Sequence, residues 1–590
     1  MAKAVSDGLP GPSGVAAAGH LGGETILAVD IGRALTKALL LEPVEGEYRL
    51  VALGKAPSRN AWKTEAGVVP SLAAAIRQIE RTTGRRFLRE GAGDDRLDLA
   101  DNGIALTTVT SAAPYLPVAV LAVASDVSLK AALEATARTY CRVTAAISTD
   151  GDLRAGSTKR WAGAGLGGWE DLQRELENGN AEVVLLAGGH EGGATGRVEG
   201  LARAIAEARG GSGRPAVVFA GATGAREAVR RILGDYALTI VDNLAPAPGC
   251  SNPRPAAAAL DQLFRQHMLL RLPGYSGLLR DGCPDHSAGA IWAVADFLAG
   301  HHGIRVLAVD VGSASVALGV SGRGQPARQV LAGRGTGEGA VELLASAGSQ
   351  AVGRWLQADI NAASLHDMVA RWAGSEAGLR GDGALADLPA ALVRSALRAL
   401  GSSERALQAQ VIVATGGLFA GLPPARAALV LLDGLQPAGV CQLLLDRDQI
   451  LPALGAVFSV NSGVAASVLL RDGCAPLGLA ICPAGVGREG KRWLRLTARM
   501  EGGRVVKADL PFGSVARIAA APGTRLKLEL QPASGADLGL GPGEPVAMET
   551  VARGLGLLFD CRGRPFEPPA SGELRKARLA DWQRGVDQPL

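Results

Sequence analysis

The sequence is poor in aromatic and charged residues, and its net charge is small. Aromatic residues make up 4% and charged residues 20% of the 590 positions, the net charge is +4, and 47% of the residues are hydrophobic. So much apolar content with so little charge excludes an intrinsically disordered chain. Because no block of lysine and arginine stands out, nothing suggests a nucleic-acid-binding surface. The length exceeds one ordinary core, so several domains are expected.

Paired cysteines and long apolar runs are also missing. The seven cysteines are scattered without C-x-x-C spacing, which argues against a disulfide framework and a structural zinc site. Cys283 and His286 in "CPDH" have no second pair and are interpreted as ordinary loop residues. No apolar run reaches roughly 18 residues, so no transmembrane helix is predicted. Residues 1–23 lack the features of a secretory signal and are interpreted as a flexible tail; we expect a soluble, cytoplasmic protein.

One pattern occurs twice, a hydrophobic strand that ends in Asp-x-Gly. Residues 26–37 read "ILAVDIGRALTK" and residues 306–312 read "VLAVDVG". Each copy continues with a second strand, a polar turn and a third strand. The connections are too short for a crossover helix, so the strands of each copy are predicted to be antiparallel neighbours. This excludes the strand-then-helix context of a dinucleotide-binding fingerprint.

The segments around the two copies indicate the domain organisation. Between the copies, strands such as "AEVVLLAGG" (181–189) alternate with helical segments, which predicts a parallel sheet. From about residue 481, short strands predominate. We predict an α/β protein with a first lobe at 24–300 that holds an α/β insertion at about 110–250, a second lobe at 301–480, and a small β-rich C-terminal domain at 481–590.

The duplicated hairpin has the chemistry of a phosphate-binding site. Glycine lets the backbone approach a phosphate, and the N–H groups of such a turn can form an anion nest. An aspartate at the end of the strand can hold Mg²⁺ or orient an attacking water. Two such turns on facing lobes would hold a polyphosphate, and the paired glycines of "VATGG" (413–417) would receive the base. The segment "GRGTGEG" (333–339) lacks the context of a P-loop and is interpreted as a flexible connection.

In order and context, these motifs resemble the phosphate-1, phosphate-2 and adenosine motifs of the ASKHA superfamily, which includes acetate and sugar kinases, Hsp70 and actin. The resemblance implies duplicated RNase H-like lobes around a central cleft that binds ATP and Mg²⁺. It makes Asp30 and Asp310 the catalytic and metal-binding carboxylates. The residues that would bind the nucleotide are Gly32, Thr36, Lys37, Gly312, Ser313, Ser315, Gly416 and Gly417.

The sequence also resembles the MutL (GlmL) family, through segments that include "VVLLAGGHEGG", "IVDNLAP", "PGYSGLL", "DRDQILPALGA" and "GLLFDCRGRP". Members are accessory proteins of adenosylcobalamin-dependent glutamate mutase (methylaspartate mutase). The likeness extends from about residue 25 to 565. It implies an ATP-dependent, chaperone-like reactivating factor that is not itself the mutase and has at most a weak ATPase activity. The implied partners are the mutase subunits, with no nucleic acid and no membrane.

The motifs depart from the pattern of these families at several positions. Arg33 and Leu35 stand where small hydroxyl residues are usual. Val316 and Ala317 stand where the second motif tends to continue with threonine and aspartate, and Glu191 replaces an expected aspartate. Three functions therefore stay open: an ATP-driven accessory protein, a small-molecule kinase on the same fold, and a pseudo-ATPase scaffold without turnover.

Overall fold

The computed structural model describes residues 25–58, 63–89, 97–100, 103–150, 181–208, 214–279, 285–324, 326–374, 387–400, 408–570 and 572–590. The chain divides into two compact units. The first comprises Met1–Ala112, Gly277–Arg328 and Arg334–Leu590, and the second comprises Ala113–Ser276 and Gln329–Gly333. The tail predicted at 1–23 and Cys283 lie outside the described residues. Among the helices of the described ranges, none is both long and apolar enough to cross a membrane.

The first lobe is a four-stranded sheet. Its elements are β1 (Thr25–Ile31), β2 (Leu35–Val44), β3 (Glu47–Pro57), helix α1 (Val69–Thr83) and β4 (Ile104–Thr110). The first three strands form an antiparallel meander and β4 pairs in parallel with β1, so the strand order is β3-β2-β1-β4. Helix α1 packs closely on β3 because Gly54 has no side chain: a Cβ atom there would lie 1.9 Å from the carbonyl oxygen of Ala75.

The second unit contains a five-stranded parallel sheet, as predicted. Its elements are β5 (Leu116–Ala122), α2 (Lys130–Thr136), β6 (Cys141–Ser148), β7 (Val183–Gly188), α3 (Gly196–Glu207), β8 (Ala216–Gly221), α4 (Arg226–Ile232), β9 (Leu238–Ile240) and α5 (Arg254–Leu263). The strand order is β6-β5-β7-β8-β9. This is the doubly wound order of flavodoxin-like sheets. The central strand β7 is buried along its whole length, as in a sheet covered on both faces.

The second lobe repeats the strand pattern of the first. Its elements are α6 (Ser287–His302), β10 (Val306–Val311), β11 (Val316–Ser321), β12 (Ala327–Leu331), α7 (Ala340–Ala347), α8 (Ser349–Gly353), α9 (Ala362–Gly374), α10 (Leu388–Leu400), β13 (Val411–Thr415), α11 (Gly417–Gly421), α12 (Pro424–Leu435), β14 (Gly439–Leu445), α13 (Leu451–Val460), α14 (Ser462–Val468) and β15 (Ala475–Cys482). β10 is antiparallel to β11 and parallel to β13, just as β1 is antiparallel to β2 and parallel to β4. The predicted duplication is therefore confirmed.

The C-terminal region is rich in strands, and some of them belong to the second lobe. Its elements are β16 (Arg492–Met500), β17 (Val505–Pro511), β18 (Val515–Ile518), β19 (Arg525–Pro532), β20 (Val546–Val551), β21 (Leu557–Asp560) and α15 (Gly572–Asp587). One sheet has the order β17-β16-β19-β20. β21 and β18 instead extend the second lobe to the order β12-β11-β10-β13-β14-β15-β21-β18. The boundary expected at residue 481 thus runs through a continuous sheet.

One apolar core is shared by the two lobes. It contains Ile26 of β1, Val306 of β10 and most of the buried faces of α6 and α13. The two helices approach closely because Gly455 has no side chain: a Cβ atom there would lie 2.2 Å from the carbonyl oxygen of Ala290. This packing fixes the first strands of the two lobes relative to each other.

A buried ion network ties the end of β21 to the helices of the second lobe. Arg562 donates to both carboxylate oxygens of Asp560, at 2.8 and 2.7 Å, and to Asp433 of α12 at 2.6 Å. Asp433 also accepts a 2.6 Å hydrogen bond from Nε of Arg394 on α10. The guanidinium of Arg562 lies 4.7 Å from the ring centroid of Trp582 on α15. The segment "FDCRGRP" therefore fastens the C-terminal region to the second lobe.

Candidate functional site

The two Asp-x-Gly turns have the same backbone geometry. The N–H of Gly32 donates to the carbonyl of Leu35 at 3.1 Å, and that of Gly312 donates to the carbonyl of Ser315 at 2.9 Å. In the first hairpin Asp30 lies opposite Lys37. In the second hairpin Asp310 lies opposite Ala317. The first turn therefore has its own cation beside the aspartate, and the second does not.

Asp30 is buried and makes two side-chain contacts. Its Oδ2 lies 2.5 Å from Nζ of Lys37, and its Oδ1 accepts a 2.7 Å hydrogen bond from the hydroxyl of Ser287 at the start of α6. Burial by itself would lower the pKa of Lys37, but attraction to Asp30, with smaller contributions from Asp310 and Asp446, raises that pKa above its ordinary value. Lys37 is therefore held in its charged form by direct contact with Asp30 and by weaker attraction to Asp310 and Asp446.

Asp310 is attracted electrostatically to the same lysine, but Lys37 donates no hydrogen bond to its carboxylate. Protein surrounds most of the side chain, and no hydrogen bond from the described residues reaches its carboxylate. Burial raises the pKa of Asp310 to about 7; Lys37 lowers it, while Asp30 and Asp446 raise it further. The carboxyl groups of residues 30 and 310 thus belong to one electrostatic cluster, although they lie 280 residues apart.

Asp446 completes this cluster and was not among the predicted site residues. It follows β14 and accepts hydrogen bonds from the hydroxyl of Thr415 at 2.7 Å and from the backbone N–H groups of Ile450 and Leu451 at 3.0 and 2.9 Å. Burial raises its pKa in spite of these hydrogen bonds and the attraction of Lys37. The sequence carried a signal for it, since "LLLD" is a third buried strand that ends in aspartate.

The wall of the site contributed by the first lobe carries a second lysine. Lys55 on β3 lies directly opposite Lys37 on β2, and its backbone N–H donates to Gln78 of α1 at 2.8 Å. Burial lowers the pKa of Lys55, while Asp448 and Asp446 raise it and Lys37 lowers it. Cations of the first lobe therefore face carboxylates of the second lobe. Neither Lys55 nor Asp448 was predicted, because nothing in their local sequence marks them.

The glycine pair of "VATGG" lies against the end of β10. Gly416 has φ of 107°, and a Cβ atom there would lie 2.1 Å from the carbonyl oxygen of Val311, the residue before Gly312. Gly417 opens helix α11, and a Cβ atom at that position would meet nothing closer than Oε1 of Gln449, at 4.0 Å. The predicted phosphate-2 and adenosine motifs are thus direct neighbours, which follows from the parallel pairing of Asp310 with Thr415.

The glycine-rich segment does not stand free as an open connection. The N–H of Gly337 donates to the carbonyl of Ser313 at 2.9 Å, that of Gly339 to the same carbonyl at 3.1 Å, and that of Glu338 to the Ser313 hydroxyl at 3.1 Å. A Cβ atom on Gly335 would lie 2.3 Å from the carbonyl oxygen of Ser313. The glycines are needed for this close packing, which the interpretation as a flexible connection did not anticipate.

The remaining predicted residues support the turns from inside. The hydroxyl of Thr36 is fully buried, at 3.0 Å from that of Ser58 and 2.9 Å from that of Ser71. The Ser58 hydroxyl in turn donates to the carbonyl of Gly32 at 2.6 Å. Ser315 is buried as well, and its carbonyl closes the second turn. Thr36 therefore contacts Ser58 and Ser71, and through Ser58 it supports the first turn.

The site has acidic side chains but no ready metal cage. In the part of the chain that the structure describes, no group of three or more histidine, cysteine, aspartate and glutamate residues has the geometry to hold a metal ion. A divalent cation would therefore need oxygen ligands from a second source, such as the phosphates of a nucleotide.

A model of the family described as MutL protein matches residues 26–472, which is most of the chain. The protein belongs to the MutL family. A search of curated proteins found no significant match to this chain. The fold is α/β with two lobes, as predicted, and the repeated strand order of the two lobes is the direct evidence.

Several solved structures resemble the MutL-family chain at low identity. The ROK family glucokinase from Streptomyces griseus, in complex with glucose and AMPPNP, is 13% identical over 73% of this chain and 97% of its own, with a TM-score of 0.28. Component A of (R)-2-hydroxyglutaryl-CoA dehydratase from Acidaminococcus fermentans is 10% identical over 74% of this chain and 97% of its own, with a TM-score of 0.27. A chain of the PilM–PilN type IV pilus biogenesis complex is 15% identical over 76% of this chain and 98% of its own, with a TM-score of 0.27. At such scores the likeness carries no argument about function.

Proposed function

We propose that this MutL-family protein binds ATP with Mg²⁺ between its two lobes and acts as a reactivating accessory factor for an adenosylcobalamin-dependent mutase of the glutamate mutase type. The convergence of the two Asp-x-Gly turns on one cluster, formed by Asp30, Lys37, Asp310 and Asp446, supports nucleotide binding. Membership of the MutL family supports the mutase as partner. The proposed location is the cytoplasm, where ATP and such a mutase would meet.

In this proposal each part of the site has a defined task. Lys37 and Lys55 offset the charge of the phosphates, and the turns at Gly32 and Gly312–Ser315 bring the backbone close to them. Thr36 holds the first turn in place, and Gly416 with Gly417 leaves room for the adenosine. Mg²⁺ would be held by Asp310 and Asp30 together with the phosphates, and when bound it would neutralise their charge.

Asp310 is the candidate general base. Asp310 could accept a proton from an attacking water only while it does not hold Mg²⁺, because a bound cation keeps a carboxylate deprotonated; in this role Asp30 and the phosphates would hold the metal. This role supports a weak ATPase activity. The missing hydroxyl groups at Leu35 and Val316, and the missing carboxylate at Ala317, argue against fast turnover.

Nucleotide binding is tested by calorimetry and thermal denaturation. ATP with Mg²⁺ should raise the melting temperature, because a ligand that binds only the folded state stabilises it by mass action. Asp310→Ala should remove most of the shift, and Asp509→Ala, in an exposed ion pair with Arg495 on the C-terminal sheet, is the matched control. Absence of a shift in the unmodified protein would leave the pseudo-ATPase scaffold as the function.

The accessory role needs a separate test. The protein is added with ATP to a glutamate-mutase-type enzyme that carries inactivated cobalamin, and recovery of mutase activity by free adenosylcobalamin is followed. We expect recovery with ATP and none with Asp310→Ala. No binding to the mutase and no recovery would contradict the role, even if ATP binds.

A small-molecule kinase is the second candidate, because Asp310 could equally accept a proton from an acceptor hydroxyl. ADP release that depends on an added acceptor would favour it. ADP release without any acceptor, stimulated by the mutase, would favour the accessory role.

A further inference from the structure

An ion pair joins the first phosphate turn to the glycine-rich segment at 333–339, and its acidic partner lies outside the predicted motifs. Nη1 of Arg33, in the first turn, lies 2.9 Å from Oε1 of Glu338 in the glycine-rich segment. The two residues are 305 positions apart. The Arg33 side chain is only 6% exposed, whereas that of Glu338 is 44% exposed. The cation is therefore held inside the site, and its partner reaches in from the surface.

Glu338 is fixed to the second turn through its backbone. Its N–H bonds the Ser313 hydroxyl, and the N–H groups of Gly337 and Gly339 bond the Ser313 carbonyl. A side chain at Gly337 would collide with Ser313, since a Cβ atom there would lie 2.3 Å from the Ser313 hydroxyl oxygen. These bonds tie the position of Glu338 to the turn at residues 312–315. The side chain of Arg33, in the first turn, contacts the Glu338 carboxylate.

Arginine at this place changes what the first turn can bind. A guanidinium has five N–H donors in a planar fork that suits both carboxylate and phosphate oxygens. The contact with Glu338 is made through Nη1 of Arg33. The turn has Leu35 where a hydroxyl donor is usual, so charge-assisted donation to a phosphate from the side chains of residues 33–35 can come only from Arg33.

We propose that Arg33 is a phosphate-binding residue and that Glu338 is an internal competitor for its guanidinium, so that the pair sets the affinity for nucleotide. This inference rests on the proposed function. Phosphate oxygens that arrive between the two turns would displace Glu338 from Arg33, and this one contact between the first turn and the glycine-rich segment would be lost. Bound nucleotide would thereby be sensed by the glycine-rich segment, which is partly exposed and can report the change to a partner.

The test is a double-mutant cycle on ATP–Mg²⁺ affinity, measured by calorimetry. Glu338→Gln removes the competing charge with little change in shape and should tighten binding about threefold to tenfold. Arg33→Ala should weaken binding about tenfold or more, and Glu338→Gln should have no effect in the Arg33→Ala background. Asp509→Asn, which neutralises one partner of an ion pair on the C-terminal sheet, should leave affinity unchanged. Arg33→Gln, which also removes the charge but keeps a long polar side chain, replaces Arg33→Ala if the alanine variant fails to fold.

The outcomes separate the two proposals. If the unmodified protein binds ATP–Mg²⁺ but Glu338→Gln weakens binding, or acts equally in both backgrounds, the competition is overturned and the proposed function stands. If the unmodified protein binds no nucleotide, the proposed function fails and the inference fails with it.

Discussion

Lys37 and Asp30 face each other across the first hairpin, with Nζ 2.5 Å from Oδ2 and both side chains buried. A buried ion pair adds little net stability compared with an apolar pair, but removal of one partner leaves an uncompensated charge in the interior. The equivalent position of the second hairpin is Ala317, so Asp310 has no such partner on its own hairpin. Much of the difference in charge environment between Asp30 and Asp310 follows from the presence of lysine at position 37 and alanine at position 317.

Lys37→Met should lower the free energy of unfolding by about 3–5 kcal/mol, because Asp30 is left buried without its cation. Urea denaturation followed by circular dichroism measures the change. Lys55→Met is the control, since that lysine is only partly buried, and it should cost less than about 1.5 kcal/mol. A loss below about 1 kcal/mol for Lys37→Met would show that the pair is not a buried ion pair in solution.

Asp310 should make stability depend on pH near neutrality. Its pKa of about 7 in the folded protein exceeds the usual value of about 3.9, so its contribution is complete below pH 4 and is lost as the pH rises through 7. Between pH 5 and pH 8 the unmodified protein should therefore lose on the order of 1–3 kcal/mol more stability than Asp310→Asn.

The control for this pH series is Asp509→Asn. Hydrogen bonding to the Arg495 guanidinium lowers the pKa of Asp509 from its ordinary value, away from neutral pH, so this residue should not alter the slope between pH 5 and pH 8. Equal slopes for Asp310→Asn and the unmodified protein would mean that Asp310 is charged throughout this range.

The two glycines of "VATGG" should respond differently to alanine. Gly416→Ala places a Cβ atom 2.1 Å from the backbone oxygen of Val311, at a φ of 107° that alanine rarely adopts. It should cost more than about 2 kcal/mol and weaken nucleotide binding. Gly417→Ala meets no atom closer than 4.0 Å and lies in a helix, so it should change stability by less than about 1 kcal/mol. Melting temperatures of the two variants measured side by side give the answer, and equal effects would refute the packing described for Gly416.

Removal of Arg562 from its buried ion network should lower the stability of the protein much more than removal of an arginine from an exposed ion pair. Arg562→Ala leaves Asp560 and Asp433 buried without one of their cations, and it should cost about 3–5 kcal/mol. Arg495→Ala breaks an exposed pair with Asp509, which water and salt screen, and should hardly change the stability. Chemical denaturation of both variants tests the contrast. Similar losses would indicate that the Arg562 network is open to water.

The parts of the fold that the sequence predicted are those set by local pattern. The two meanders were predictable because "ILAVD" and "VLAVD" are buried strands with connections too short for a helix. The parallel sheet of the second unit was predictable from strands that alternate with helices. The entry of β21 into the sheet of the second lobe was not, because pairing of Leu557–Asp560 with β15 depends on contacts far apart in the chain.

The site shows the same division. The convergence of Asp30 and Asp310 followed from the repeat, since equivalent strands of duplicated lobes place equivalent turns together. Asp448, Lys55 and Ser287 escaped prediction, because each is brought to the site only by tertiary packing. Thr36 matched a motif, but its environment depends on Ser58 and Ser71, which no spacing rule connects to it.

The position of β21 in the second lobe has a consequence for biosynthesis. A ribosome releases the strand at 557–560 long after β15 at 475–482, yet that strand lies between β15 and β18. Until then β15 presents an unpaired edge, a hazard for wrong association between nascent chains. Polypeptides whose translation stops before residue 557 should therefore depend on chaperones to avoid aggregation.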